Sequence, residues 1–593
     1  MKKNLITFWL VFLITFSRIS PPVFAATINA PIYHEQYFLD EYSSLYNYNP
    51  DFIPNTVTFD CYNHPYIRTT DGKIQIMGDD KKWTTTDLVA SAKAYFAQHS
   101  STPWNTGSSG LYFRDGTEWE DRVVFDDKCN AYTYLDTTSS SLKQGMLLYS
   151  RDQGKSWETY LIPKVGSGMM ATLEYKSGSN SIIGPPTLLI HRLNSSNSST
   201  EIYITKPVIN SDNTLTIPTP TLLVSDSLLT TQHSGAGGNI VTHGTKSYIL
   251  YPSNKASLCP GTTADGKTPT MILEYDNSSH SVSTPKFLGC GVGDPTPDPH
   301  ENSALAVDSH GYLYVIIGSH QQRFQYLKSN KPYDISSWSK PVFIGEEMNG
   351  SGGYTYVSLI IDSSNTLHIA ARWAGRGYYF RLVYMRKPEN KPWDTFSNTP
   401  DPSGLNKAGT SQTLLHKELV IPWHDFYAVW RQKLDIDNEG RLFLNYSTFD
   451  GELNDAQVAE YNKKYPEAKL IKDDPTCVAK GQSGQPPYCE YMGTSNSDHD
   501  PVLMVSEDHG NTWKLVDSQY SWHFTTPSPS PIPTTTFLPG DLDKNGKVDI
   551  FDYNTLVGNF GKTGSNLIGD INNDGKVDIF DYNQLVGNFG KNN

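Results

Sequence analysis

The chain has 593 residues, with 62 acidic against 48 basic side chains for a net charge of −14, and it carries 36 Tyr, 12 Trp, 45 Gly and 37 Pro. An acidic balance of this size argues against nucleic acid as the main partner, and an anionic substrate would need a locally basic cleft. The aromatic, Gly- and Pro-rich composition, with few long helical patterns, reads as β-rich.

Residues 1–25 open with Lys2 and Lys3, run through apolar residues 5–16 and end in small residues before Ala26, the pattern of a secretory signal peptide cut after Ala25. The apolar run is too short to favour a membrane span, and no second stretch of about 18 apolar residues follows. The mature chain is therefore expected to be extracellular, with no membrane span. Six cysteines (Cys61, Cys129, Cys259, Cys290, Cys477 and Cys489) in an oxidising compartment imply disulfides whose pairing stays open. Cys477 and Cys489 close a short Pro/Gly-rich loop and are the first pair to expect.

Residues 26–524 form one large body. It repeats an apolar strand, a turn and a second apolar strand: RVVFDDKCNAYTYLD from Arg122, GGNIVTHGTKSYILYP from Gly237, NSALAVDSHGYLYVIIG from Asn302, VSLIIDSSNTLHIAAR from Val357 and RQKLDIDNEGRLFLNYS from Arg431. Such hairpins, recurring at intervals of roughly 50 to 70 residues, suggest four-stranded blades and an all-β fold, a β-propeller with seven blades favoured over six. Residues 150–157 (SRDQGKSW) and 506–513 (SEDHGNTW) fit the Asp-box pattern S-x-D-x-G-x-S/T-W. In such a box the Asp caps the turn between a blade's outer strands and the Trp packs beneath it. The boxes identify a fold, not an activity. A helical pattern at 455–464 (DAQVAEYNKK) reads as an elaboration on a late blade.

The chemistry is concentrated between residues 300 and 376. His300, followed by Glu301, Asn302 and Ser303, precedes an inner strand, and His320 closes the hairpin of the same blade. Tyr354, Thr355 and Tyr356 open the next hairpin, and Arg372 ends it. Two imidazoles, a phenol and a guanidinium at like depths suit β-elimination from a uronic-acid polysaccharide. Arg pairs with the substrate carboxylate, and Tyr and His exchange protons with the C5 carbon and the leaving C4 oxygen. No cofactor is expected for this step. Asn302, Arg376, His424 and Tyr427 are substrate-binding candidates, with His243 and Arg431 at similar hairpin positions.

On His300, His320, Tyr356 and Arg372 the chain resembles Asp-box (BNR-repeat) propeller lyases of the ulvan-lyase type. The resemblance is carried by residues 237–447. It implies that Tyr356 transfers the proton, that Arg372 and one His neutralise the carboxylate, and that His300 and His320 complete the acid/base work. Glu301 stands where the family often has Asn, and it would repel an anionic substrate unless turned away. Two other readings stay open. One is a sialidase-like glycoside hydrolase, with carboxylates drawn from Asp294, Asp298, Glu301 and Asp425; the other is a propeller that only binds glycans.

Residues 525–539 are a Pro/Ser/Thr spacer. Beyond it, residues 540–561 and 569–590 match at 17 of 22 positions with a period of 29. Each copy supplies oxygen ligands at loop positions 1, 3, 5, 9 and 12: Asp541, Asp543, Asn545, Asp549 and Asp552, then Asp570, Asn572, Asp574, Asp578 and Asp581. Position 7, Lys547 or Lys576, adds only its backbone carbonyl, and Gly546 or Gly575 makes the sharp turn at position 6. Two Ca²⁺ sites are expected. Tyr553, Leu556, Val557 and Phe560, and likewise Tyr582, Leu585, Val586 and Phe589, continue each loop as a helix. Residues 540–593 thus resemble a type I dockerin, which implies calcium-dependent docking onto a cohesin-like module, possible attachment to a cell surface included. Ile550, Phe551, Ile579 and Phe580 replace the small polar residues that many dockerins carry at positions 10 and 11.

Overall fold

The computed structural model describes residues 56–68, 72–99, 122–136, 144–166, 169–180, 182–193, 199–228, 238–259, 268–291, 301–320, 322–345, 353–374, 380–394, 412–413, 427–450, 463, 502–516, 520–525, 540–542, 547–564, 567–572 and 574–590. The chain divides into two compact units, Met1–Phe524 and Thr525–Asn593.

Seven antiparallel meanders follow one another along the first unit. Blade 1 is Thr56–Phe59, Pro65–Arg68, Lys73–Met77 and Trp83–Asp87. Blade 2 is Val124–Phe125, Ala131–Asp136, Gly145–Ser150 and Glu158–Leu161. Blade 3 is Met169–Leu173, Leu188–Leu193, Ser199–Thr205 and Thr221–Leu228. Blade 4 is Ile240–His243, Lys246–Pro252 and Thr268–Asp276, with Ser281–Val282 and Lys286–Gly291 sharing its outer edge. Blade 5 is Ala304–Val307, Leu313–Ile317, Phe324–Lys328 and Val342–Ile344. Blade 6 is Gly353–Ile361, Leu367–Ala374, Phe380–Lys387 and Gln412–Thr413. Blade 7 is Tyr427–Ile436, Leu442–Asp450, Val502–Ser506 and Lys514–Leu515. The fold is a seven-bladed β-propeller.

Because each sheet is packed between two others, the inner strands of blades 5 and 6 are buried along their whole length, whereas an outer strand such as Trp83–Asp87 is largely exposed. The core is divided into wedges between neighbouring blades. Tyr132, Leu147 and Tyr149 of blade 2 meet Ala171, Leu173 and Ile190 of blade 3 in one wedge. Ala304, Tyr314 and Ile316 of blade 5 meet Val357, Leu359 and Ile369 of blade 6 in another. Val57, Ile67 and Met77 of blade 1 join Leu442, Phe443, Leu503 and Trp522 and close the ring.

At the foot of the propeller, where a first strand turns into the second, five blades use the same device. Asp60, Asp126, Asp308, Asp362 and Asp437 each accept from the backbone N–H groups two and four residues on, at 2.8–3.0 Å. The free carboxylate oxygen then receives a side chain of the second strand in most of them: Tyr132 for Asp126, Tyr314 for Asp308, His368 for Asp362. Neighbouring turns are tied together. Asn438 N–H donates to Asn63 Oδ1 across the ring closure, Ser309 N–H donates to Asn365 Oδ1, and a disulfide joins Cys61 to Cys129. A second disulfide, Cys259–Cys290, lies in blade 4; Cys477 and Cys489 lie outside the described residues. Blade 3 departs from the pattern. Its first turn is a long segment between Leu173 and Leu188 that crosses the axis, where Ser177 Oγ lies 3.3 Å from Leu305 O and 3.4 Å from Leu359 O. Ser179 N–H donates to Val307 O at 2.9 Å.

Both Asp boxes sit between third and fourth strands. Asp152 Oδ1 accepts from Ser156 N at 2.9 Å, and Trp157 Nε1 donates to Gly154 O at 3.0 Å. Asp508 repeats the cap with Thr512 N at 2.8 Å, and Trp513 is buried. Gly154 and Gly510 adopt φ of +76° and +84°, and a Cβ on Gly510 would run into the Tyr384 hydroxyl of blade 6. One helix was not anticipated: α1, Leu88–His99, which Asp87 caps through Ala90 N at 3.0 Å and which buries Leu88 and Ala92. The expected insertion at 455–464 lies outside the described residues except for Lys463, which is helical. No helix among the described residues is long and apolar enough to cross a membrane.

The second unit consists of two related halves with helices α2, Ile550–Asn559, and α3, Ile579–Asn588. Asp549 and Asp578 are the N-caps, each in a reciprocal capping box with Asp552 or Asp581. The halves exchange hydrogen bonds, Gly561 N to Val577 O and Gly590 N to Val548 O, both at 2.8 Å. They share a small core of Val548, Leu556, Val577 and Leu585. Phe551 and Phe580 are exposed, at 65% and 63%, as are Ile550, Ile579, Val557 and Val586.

Two outcomes are expected. Gly510→Ala combines a strained φ with a clash and should lower unfolding free energy by about 2–5 kcal/mol, read from denaturant midpoints. In blade 6, buried His368 faces Asp362 at Nε2 (3.1 Å) and the Tyr384 hydroxyl at Nδ1 (2.6 Å). Burial pushes the imidazole below its ordinary value although Asp362 draws it up. For Asp362, burial raises the carboxyl, but the hydrogen bonds from His368 and the turn amides outweigh it and leave the group low. Both groups bind fewer protons folded than unfolded. Stability should therefore fall as pH drops below about 6.5, and further below about 4. Thermal melts across that range should show a shallower acid slope in His368→Gln.

Candidate functional site

The mouth of the propeller, opposite the foot, collects the segments in which the sequence placed its chemistry. Glu301, Asn302 and Ser303 lead into the inner strand of blade 5, and His320 lies in the turn between that blade's second and third strands. Tyr356 is in the inner strand of blade 6 and Arg372 near the mouth end of its second strand. His300, Arg376 and His424 lie outside the described residues, as do Asp294, Asp298 and Asp425. Tyr427 begins the inner strand of blade 7.

The turn carrying His320 is fixed to blade 6. Ser319 Oγ donates to Tyr354 O at 2.9 Å, and Tyr354 N–H donates to Gln322 O at 2.8 Å. Ser303 Oγ lies 2.9 Å from Thr270 Oγ1 of blade 4 and accepts from Gly318 N at 3.1 Å. A Cβ on Gly318 would strike the carbonyl of Asn302, so this glycine lets the two strands approach. Glu301 is fully buried, and its carboxylate lies beside Gly291. Its carboxylate is thus enclosed rather than presented to solvent.

Tyr356 has φ +59°, a left-handed conformation that is an outlier for a bulky aromatic residue. A β-bulge causes it: Thr355 pairs with Arg372 and Ser358 with Ala370, leaving Tyr356 and Val357 together opposite one residue. The Arg372 guanidinium stands over the Tyr356 ring, 4.5 Å from its centroid. Both residues are nearly enclosed, at 2% and 4% exposure. Blade 7 carries a matching irregularity between Trp430 and Lys433, and there Gln432 Nε2 donates to Tyr356 O at 2.7 Å. Gln432 escaped the sequence reading. It stands between Arg431 and Lys433 in a polar stretch of its strand, where no local pattern singles it out.

His243 does not join the group. It ends the inner strand of blade 4 at the foot, stacked on Tyr333 with ring centroids 3.7 Å apart. Its hairpin position matched those of the other candidates, but strand direction puts it at the opposite end.

In the second unit, Asp574 N–H lies 3.0 Å from Asp570 Oδ1 and 2.9 Å from Asn572 Oδ1, and Asn572 Nδ2 lies 3.1 Å from Asp574 Oδ2. Gly575 supplies the sharp turn with φ +84°. Fully buried Asp581 accepts from Ile571, Asn572 and Asp578 N–H groups at 2.8–3.1 Å. Among the described residues no three Asp, Glu, His or Cys side chains converge as a metal cluster. The loop oxygens instead receive the loop's own amides. Asp543 and Asn545 lie outside the described residues. Asp541 is buried, Asp549 and Asp552 repeat the capping geometry of Asp578 and Asp581, and Lys547 and Lys576 hold position 7.

A family model described as "BNR repeat-containing family member" matches residues 262–527. Comparison with curated proteins finds no match. Among solved structures the chain is similar to an ulvan lyase presented as a new family of polysaccharide lyase, at 13% identity and TM-score 0.28, over 49% of this chain and 55% of that one. The chain thus spans about half the length of that enzyme. It is also similar to the Penicillium chrysogenum α-L-arabinanase (11% identity, TM-score 0.33, 56% and 89% covered). A third likeness is to the six-bladed Aleuria aurantia lectin (14%, 0.30, 56% and 88%). Likenesses this distant leave activity to be argued from the site.

The close fit at Gly318 makes it a sharp probe of this end of the molecule. Gly318→Ala should push the Asn302 segment out of place and cost about 1–3 kcal/mol, measured by chemical denaturation.

Proposed function

We propose that this chain is a secreted carbohydrate-active propeller that cleaves a uronic-acid-containing polysaccharide by β-elimination. The observation that carries the reading is the Arg372 guanidinium held over the Tyr356 ring at the mouth. A guanidinium fixed there can pair with a substrate carboxylate as charge builds on it. In this scheme Tyr356 takes the C5 proton, and His300 and His320 share the remaining neutralisation and proton delivery to the C4 oxygen. Asn302, Arg376, His424 and Tyr427 would hold the sugar chain. The near-complete burial of Tyr356 and Arg372 favours a second reading, in which the pair only braces a glycan-binding surface.

With uronic-acid polysaccharides, the lyase reading expects absorbance near 235 nm from unsaturated products. Tyr356→Phe and Arg372→Ala should each lower the rate by 100-fold or more, on the order of ~3 kcal/mol of transition-state stabilisation, with the fold retained. Full activity in both variants sinks the assignment of these residues. Reducing ends formed without that absorbance would mark hydrolysis, and binding without cleavage would mark a glycan-binding propeller.

For the second unit the proposed role is calcium-dependent docking onto a cohesin-like module. Asp541, Asp543, Asn545, Asp549, Asp552 and the Lys547 carbonyl would hold one Ca²⁺, and Asp570, Asn572, Asp574, Asp578, Asp581 and the Lys576 carbonyl the other. The oxygen-only donor set and the Gly575 turn fit a hard cation. A core of four fully buried apolar side chains is small for independent stability, which is where a structural metal contributes most. Titration calorimetry should show two Ca²⁺ sites, one lost in Asp541→Ala and the other in Asp570→Ala. A melting temperature of this unit indifferent to both Ca²⁺ and chelator would remove the calcium role.

A further inference from the structure

We infer that Gln432 of blade 7 is a positioning residue for Tyr356, holding its backbone in the left-handed conformation that sets the phenol beneath Arg372; this rests on the reading of Tyr356 as the proton-transferring group. The bulge takes the Tyr356 carbonyl out of the regular ladder with the second strand of its own blade. A buried carbonyl in that position needs a donor. The donor comes from the next blade: Gln432 Nε2 at 2.7 Å, from a side chain with no measurable exposure. Two residues further along both strands, Leu434 N–H donates to Ser358 Oγ at 3.0 Å, so the blades are registered below the bulge as well as at it. Gln432 Oε1 accepts no hydrogen bond among the described residues, so the amide is held there through its donor end.

The chain therefore maintains matched irregularities in adjacent inner strands, one displaying Tyr356 and the other supplying the amide that holds it. Ordinary blade packing requires neither. The inner strand of blade 5, which carries no such bulge, pairs regularly from Ala304 to Val307.

The test separates positioning from mere support of the fold. Gln432→Met keeps length and apolar packing but removes the donor. It should lower kcat on the order of 100-fold with KM within about 2-fold and a melting temperature close to wild type. Gln432→Glu restores a donor only when its carboxyl is protonated, so its kcat relative to wild type should climb as pH is lowered. Wild-type kcat in both variants, or a Gln432→Glu pH profile parallel to wild type, overturns the inference.

Hydrogen–deuterium exchange over residues 353–361 reads the position without turnover. Faster exchange confined to this strand and the facing 367–374 segment is expected in Gln432→Met, and unchanged exchange overturns the inference. If wild type yields no unsaturated product from any uronic-acid polysaccharide, the lyase reading falls, and the exchange result alone then decides whether Gln432 holds Tyr356.

Discussion

A single carboxylate hydrogen-bond pattern, repeated at the foot of five blades, is what the propeller is hung from. Each of Asp60, Asp126, Asp308, Asp362 and Asp437 gathers two backbone amides of its own turn. Hydrogen bonds to an ionised acceptor are stronger than neutral ones, and local ones of this kind favour a tight turn before any tertiary contact forms. Once made, the turns present side chains sideways, and Asn63 with Asn438, Ser309 with Asn365 and Cys61 with Cys129 link one blade to the next. Ser177 and Ser179 then draw the long first turn of blade 3 against the inner strands of blades 5 and 6. The foot is locked and crossed by chain, which leaves the mouth as the end where irregular backbone is tolerated.

That division explains where the departures from regular geometry fall. At the foot the left-handed residues are those that a turn demands, such as Asn63, Cys129 and Asn365. At the mouth Tyr356 is left-handed inside a strand, where no turn requires it. Strain of this kind persists only when its surroundings over-determine it. Here they do: Arg372 covers the ring, Gln432 holds the carbonyl, and the turn around Ser319 grips Tyr354 two residues before. Close approach around Glu301 depends on two glycines: a Cβ on Gly291 would meet its carboxylate, and one on Gly318 would meet the Glu301–Asn302 backbone.

The legible part of the fold was the part carried by local pattern. The two Asp boxes fall between third and fourth strands, and the five named hairpins are the first turns of blades 2, 4, 5, 6 and 7. Blades 1 and 3 were harder to see. Blade 1 has short strands, and its Asp60 turn lies in a stretch dominated by aromatics. Blade 3 replaces its first turn with the crossing segment and carries an extra hairpin, Val208–Ile209 with Leu215–Thr216, so it shows no hairpin of the standard length. Residue type and spacing placed His320, Tyr356 and Arg372 at one end, whereas His243, chosen on the same spacing, lies at the other. Spacing gives depth along a strand but not its sense. The Gln432 contact depends on register between strands 76 residues apart, which no local pattern records.

In the second unit the economy runs the other way, because the same side chains serve two purposes. Asp552 and Asp581 occupy loop position 12, where a calcium ligand is proposed, and they are also the acidic partners of the capping boxes that start α2 and α3. Asp549 and Asp578, at position 9, are the N-caps themselves. A cation held by these loops would therefore act on the same carboxylates that fix each helix start, and ligand binding and helix nucleation would become one event. The halves also share their core: Gly540 packs against Leu585 and Gly569 against Leu556, so each loop is anchored on the other half's helix. With so few buried apolar groups, neither half retains a core without the other. Exposed Phe551 and Phe580, at the start of each helix, are positioned by whatever orders these loops. A partner reading those aromatic faces would consequently read the state of the loops as well, and under the proposed calcium role docking and cation binding would be coupled without any further device.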